Sequence, residues 1–261
     1  MRLFHNLFGN KVKKNPEKDE AIALADYESW YYSLNNLYKL KPDIQAWRKE
    51  LEESYNLKDV LVFGDFSNKG IREELTKIRC VTNSIIETQQ SINGTKKDMT
   101  DFIMLDYIYQ CVNDYPNINT YVLFTGDAHF QSVINYLIQK RNKKVIVYGV
   151  KDAFSNQLKN IATKAIEVPA ADEILQSFYP IIVENMSYVS EKSAINPTFS
   201  ATARILSTRN NVPEDLIKAA IAEMLRKGLL YTREKRVDFN QSVPVLRANW
   251  DKLVEVGLWS Y

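Results

Sequence analysis

The sequence predicts an α/β fold with a parallel, doubly wound sheet, an N-terminal helical extension and a C-terminal module of helices and a ribbon. Three observations carry this. Short apolar runs recur as Asp59-Val-Leu-Val-Phe-Gly-Asp65, Tyr121-Val-Leu-Phe-Thr-Gly-Asp127 and Lys144-Val-Ile-Val-Tyr-Gly149, with a weaker fourth at 165–168. Runs without polar alternation belong to strands covered on both faces. Segments with helical spacing separate them, which requires right-handed crossovers and parallel strands.

Residues 10–20 are polar and lysine-rich and read as a lead-in. From Asp19, the residues Ile22, Ala25, Tyr27, Trp30 and Leu34 recur at roughly helical spacing, and a second helix follows Pro42 with Ile44, Trp47 and Leu51. Residues 1–57 therefore read as a helical extension. Its aromatics, Trp30, Tyr31, Tyr32, Tyr38 and Trp47, suit either base stacking or, more economically, packing against the next domain. The central domain spans 58–170, with helices at 100–112 and 130–140. Pro169 and the small residues after it mark a boundary.

Residues 171–261 read as helices at 174–187 and 198–207, and a third helix between Pro213-Glu214-Asp215 and Lys227-Gly228. Proline and acids in a first turn and glycine after the last suit the helix dipole and a left-handed cap. Strands at 229–232 and 236–239 would form a hairpin around Arg233-Glu234-Lys235. Helix, helix, helix, two-stranded wing is the winged-helix order.

Composition bounds the function. The chain has 261 residues, 45% hydrophobic and 25% charged, which is globular rather than disordered. A net charge of +2 makes any nucleic-acid affinity a local patch rather than a global field. Cys80 and Cys111 have no metal or disulfide spacing and read as free thiols, which points to the cytoplasm. No signal peptide and no membrane span is recognisable. Neither phosphate-binding glycine motif follows a strand, which argues against a nucleotide-binding enzyme of another α/β family.

Asp65 and Asp127 each close a strand, where parallel sheets bind ligands. The preceding glycine would let the backbone turn sharply. Carboxylates held close repel one another, and a divalent cation with hard oxygen ligands, Mg²⁺ or Mn²⁺, relieves this. Asp98 or Asp101 at the start of the 100–112 helix offers a further acid, the two being three residues apart on one face. Each acid also has a structural reading as a cap or turn former. Asn68 can offer its amide to water or phosphate. Lys96 and Lys97 can neutralise a phosphate backbone or simply face solvent.

These residues together resemble the NYN domain, a branch of the PIN-like nuclease superfamily. The resemblance runs from about 58 to 169, through Val-Leu-Val-Phe-Gly-Asp65-Phe-Ser-Asn68, Lys97-Asp98-Met-Thr-Asp101, Leu-Phe-Thr125-Gly126-Asp127-Ala-His129-Phe130 and Lys144-Val-Ile-Val-Tyr-Gly149. It implies a doubly wound fold whose acids bind Mg²⁺ or Mn²⁺ for phosphodiester hydrolysis, usually of RNA. Asp65, Asn68 and Asp127 match its pattern, and Asp98 and Asp101 compete for one place. His129 stands where the pattern has a second Asp. It can ligate Mn²⁺, act as a base, or be a helix-start residue with no chemical role.

The expectation is a metal-dependent endoribonuclease with catalytic Asp65, Asp98, Asp101, Asp127, Asn68 and His129. In the C-terminal module, Arg233, Lys235 and Arg236 at the wing, beside Arg226 and Lys227, would meet nucleic acid. Balanced charge there equally suits a protein partner or a homodimer. The alternative is a non-catalytic regulator with a degenerate central domain.

Overall fold

The computed structural model describes residues 18–88, 90–92, 95–97, 99–190, 196–238 and 241–260. Asp98 and the first seventeen residues lie outside the described residues. The described chain divides into two compact units: residues up to 28 with 43–148 and 155–166, and residues 29–42 with 149–154 and 167–261. No helix of the described residues is long and apolar enough to cross a membrane.

The first unit is built on a six-stranded sheet. Its strands are β1 (Glu20–Asp26), β2 (Asn56–Gly64), β3 (Ile85–Glu87), β6 (Thr120–Phe124), β7 (Lys144–Val150) and β8 (Lys164–Val168), in the order β3-β2-β1-β6-β7-β8. A small hairpin, β4 (Gln90–Ile92) and β5 (Thr95–Lys97), lies apart from it and carries Lys96 and Lys97. β1 pairs in parallel with both β2 and β6, and the β2–β3 and β6–β7 pairs are parallel too. From β1 the chain builds outward through β2 and β3, then returns to β6 on the other side. The order therefore reverses between β1 and β6, the switch point at which such sheets open a ligand crevice.

Strand β1 overturns the helical reading of residues 22–34. Ala21, Ile22, Ala23, Leu24 and Ala25 are all essentially inaccessible. A strand buried on both faces shows no alternation, and its alanines carry little strand propensity, so five apolar residues in a row fit either period. Helix α1 (Tyr27–Tyr38) starts only where the strand ends.

Helices cover both faces of this sheet. In α2 (Ile44–Ser54), capped by Asp43 through the Ala46 N–H, Trp47 packs edge-on to Phe124 and Tyr148. In α5 (Thr100–Asp114), Tyr107 packs edge-on to Phe63. Ala25 pairs with Phe124, whereas Asp26 pairs with Phe63. Successive side chains alternate faces, so Asp26 shares its face with Phe63 and α5. Trp30, Tyr31, Tyr38 and Trp47 are all buried, so these four are packing residues rather than a base-stacking surface.

The second unit holds α8 (Ala171–Ser177), α9 (Tyr179–Ser190), α10 (Phe199–Asn210), α11 (Glu214–Arg226), the antiparallel strands β9 (Leu230–Asp238) and β10 (Gln241–Ala248), and α12 (Trp250–Glu255). Helix α11 buries Ile217, Ala220, Ile221 and Met224 and contacts α8, α9, α10 and β9. Gly228 after it adopts the left-handed conformation, φ +70°, as the cap requires. The helix expected at 174–187 is broken at Phe178 into α8 and α9.

The hairpin register also differs from expectation. Arg233 pairs with Val245 and Lys235 with Val243, inside the ribbon rather than at its turn. Arg-Glu-Lys offers no Gly, Asn, Asp or Pro to form a tight turn, while pairing it extends the ladder. Arg233 and Lys235 therefore share one face of β9, and Arg236 lies on the other.

Candidate metal centre

The switch point fixes the site. β1 ends in Asp26, which is 5% exposed, and its neighbour β6 leads through Thr125-Gly126 to Asp127. The turn after β6 is held from several sides. The Thr125 N–H donates to the Tyr148 carbonyl, the Asp127 N–H donates to the Thr125 hydroxyl, and the Ser155 N–H donates to the Gly126 carbonyl. Thr125 is itself buried, so it shapes the turn rather than meeting solvent ligands. Neither Gly64 nor Gly126 uses a left-handed backbone; hydrogen bonds, not glycine freedom, form these turns.

Asp127 then caps a single 3-10 turn, Ala128–Phe130, its Oδ1 accepting from the His129 N–H at 2.9 Å. Phe130 is fully buried and pins the turn, leaving His129 outward. The start of α5 approaches from the other side. Thr88 donates its N–H to the Gly64 carbonyl, and its hydroxyl meets that of Thr100 at 2.7 Å. This ties the first turn of α5, which carries Asp101, to the end of β2. Met99, not Asp101, is the N-cap.

The result is a three-residue cluster. His129 Nδ1 lies 3.2 Å from Asp101 Oδ2 and 3.3 Å from Asp127 Oδ1. One ligand atom from each of the three lies within 4.8 Å of the others. The His129 ring is 73% exposed, against 28% and 40% for the two carboxylates. The hydrogen bond to Asp101, followed by the charge of Asp127, raises the His129 pKa above its ordinary value. The two carboxylates thus favour a proton on the ring. Two carboxylate oxygens and an imidazole nitrogen form a donor set suited to Mn²⁺, and a cation there would replace that proton.

Of the expected site residues, Asp101, Asp127 and His129 come together. Asp65 does not join them: its Oδ1 accepts the Ser67 N–H at 2.8 Å, and its own N–H donates to Glu28 at 3.0 Å. The sheet order explains this. β1 lies between β2 and β6, which separates their ends by about 10 Å, two strand spacings. Asn68 is exposed before the short helix α3 (Lys69–Arg72) and caps it with no side-chain hydrogen bond. Asp26 and Glu28 were missed. The available signal was an apolar run ending in an acid, Ala21-Ile-Ala-Leu-Ala-Asp26, the same form that marked Asp65 and Asp127.

In the second unit, Arg226 and Lys227 both lie against Glu223, at 3.6 and 2.9 Å, which offsets their charge. Arg233 and Arg236 are exposed along β9.

Comparison with known proteins agrees with this architecture. The NYN domain matches residues 21–172, beginning at β1. A crystal structure of a protein of unknown function from Vibrio parahaemolyticus superposes with a TM-score of 0.53 at 19% identity, covering 60% of this chain and 96% of that one. At that identity the likeness speaks for the fold alone. No curated protein matches the chain. With more than half its length matched, and with strand order and acidic edge in place, the chain belongs to the NYN-domain family, a family of nucleases.

Proposed function

We propose that this protein is a divalent-metal-dependent ribonuclease acting at the carboxyl edge of β1 and β6. The observation that carries this reading is the convergence of Asp101, Asp127 and His129 from two separate segments at the switch point. Bound there, Mn²⁺ or Mg²⁺ would supply Lewis-acid polarisation of a phosphate oxygen and acidify a water for attack on phosphorus.

The chain's own residues set up that chemistry. Asp101 and Asp127 provide the anionic oxygens, and His129 provides a nitrogen once its proton leaves. Asp26, on the face shared with α5, adds a fixed acid to the same edge. Asp65, Asn68 and Glu28 border it from the β2 side, where Asn68 is free of capping duty and can present its amide. Lys96 and Lys97 on β5 are candidates for the phosphate backbone. The C-terminal order of helices and hairpin supports a winged-helix-like module, with Arg233, Lys235 and Arg236 on one strand as its nucleic-acid contacts. Two free thiols fit a cytoplasmic location.

The alternative, a degenerate domain that only binds, draws on the histidine in place of an acid. Against it, His129 turns Nδ1 toward both carboxylates and so completes a donor set. The test is cleavage of single-stranded RNA with Mn²⁺ or Mg²⁺. Asp127→Asn should abolish it without lowering the melting temperature. No cleavage with either metal, and no heat of Mn²⁺ binding, would leave the binding-only reading.

A further inference from the structure

The outer face of α5 continues away from the metal cluster as a stripe with an unusual composition. Phe102, next to Asp101, is 66% exposed, and Tyr109, seven residues on along the same stripe, is 40% exposed. The two stand about 10 Å apart along the helix axis. Tyr109 packs against Tyr136 with ring centroids 5.2 Å apart, and the Arg141 guanidinium lies 5.6 Å from the Tyr136 centroid.

Beyond these rings the surface turns basic. Lys140, Arg141 and Lys143, with Val112 and Pro116, line a groove of about 270 Å³. Arg141 donates to the Asn113 side-chain oxygen at 3.2 Å, and Lys143 to the Pro116 carbonyl at 2.9 Å. Among the described residues no carboxylate pairs with any of the three cations. One acid, Asp106, shares the stripe, and its carboxylate accepts from Gln110 at 2.7 Å.

We propose that this stripe is the path by which single-stranded RNA reaches the metal cluster. Bases stack on Phe102 and on the Tyr109–Tyr136 pair, and phosphates lie along Lys140, Arg141 and Lys143. Flat aromatic faces interleaved with cations are the equipment of single-strand binding, because every base has a stacking face and every link a charge. A duplex keeps its bases inside and cannot use the rings. The assignment to RNA rests on the ribonuclease reading above; the path itself does not require catalysis.

The test is fluorescence anisotropy of a labelled 12-nucleotide oligouridine with the full chain in EDTA, where nothing is cut. Phe102→Ala and Tyr109→Ala should each weaken binding at least fivefold, in line with the worth of one stacked base. Arg141→Gln should lower the slope of log affinity against log salt by about 0.7, one phosphate contact on a single strand. The melting temperatures of the Phe102→Ala and Arg141→Gln variants should stay close to that of the parent chain, because both side chains are exposed and the surface contacts of Arg141 contribute little. Unchanged affinity in the Phe102 and Arg141 variants would overturn the path, as would equal loss of affinity for an RNA duplex. A chain that binds oligouridine with this pattern yet cuts nothing in Mn²⁺ refutes the hydrolase and keeps the path. A chain that cuts but shows no effect of these variants does the reverse.

Discussion

His129 Nδ1 and Asp101 Oδ2 lie 3.2 Å apart, although 28 residues separate them and they belong to different elements. The pair exists because a 3-10 turn after β6 and the first turn of α5 meet at one corner of the sheet. Its consequence is electrostatic: the two carboxylates beside the ring raise the His129 pKa above its ordinary value.

In the metal-free protein, His129 should titrate above the ordinary histidine value, and Asp101→Asn should bring it back down. The sign follows from the raised pKa. The protonated ring is the favoured partner, so its contribution to stability is complete below the unfolded histidine value and fades as pH rises through the folded one. Metal binding runs the opposite way and strengthens over the same interval, because the proton must leave first. Titration of the ring protons by NMR, with and without Mn²⁺, measures both.

Each ligand should matter separately for the metal. Asp101→Asn, Asp127→Asn and His129→Ala should each weaken Mn²⁺ binding by about tenfold or more in calorimetry. Asp65→Asn should weaken it less than any of them, because its carboxylate oxygen serves the turn at Ser67. An equal loss for Asp65→Asn would show that the metal lies toward β2.

The two cysteines should react at different rates. Burial raises the Cys111 thiol to about 11, with Asp114 and Asp59 adding to the shift, whereas Cys80 is exposed. At neutral pH, iodoacetamide should modify Cys80 while Cys111 remains intact until the protein unfolds, because the thiolate is the nucleophile. Mass spectrometry of the time course distinguishes them.

Gly149 should not tolerate a side chain. A methyl group built there falls within the ring of Phe154, which is 6% exposed. Gly149→Ala should cost about 1–3 kcal/mol, the usual penalty of overpacking. Gly228→Ala should cost about 1 kcal/mol through its left-handed backbone instead. Urea denaturation of the two variants checks both.

The local signals in the sequence carried far. The Val60–Phe63 run in β2, the Tyr121–Phe124 run in β6 and the Val145–Tyr148 run in β7 are strands because β-branched and aromatic residues fit a sheet covered on both sides. Pro213-Glu214-Asp215 and Gly228 bounded α11 as their backbone and dipole preferences require. Asp101, Asp127 and His129 were all recognisable as candidates by type and position. Three things were decided only by tertiary structure. Ala21–Ala25 had no periodicity to read, and burial in the centre of the sheet made it β1. With β1 placed there, Asp26 moved to the switch point and Asp65 was set two strand spacings from Asp127, with β1 between them. His129 became a partner of Asp101 only because chain segments 28 residues apart were packed together, and proximity across a fold is a property that no local pattern of residues contains.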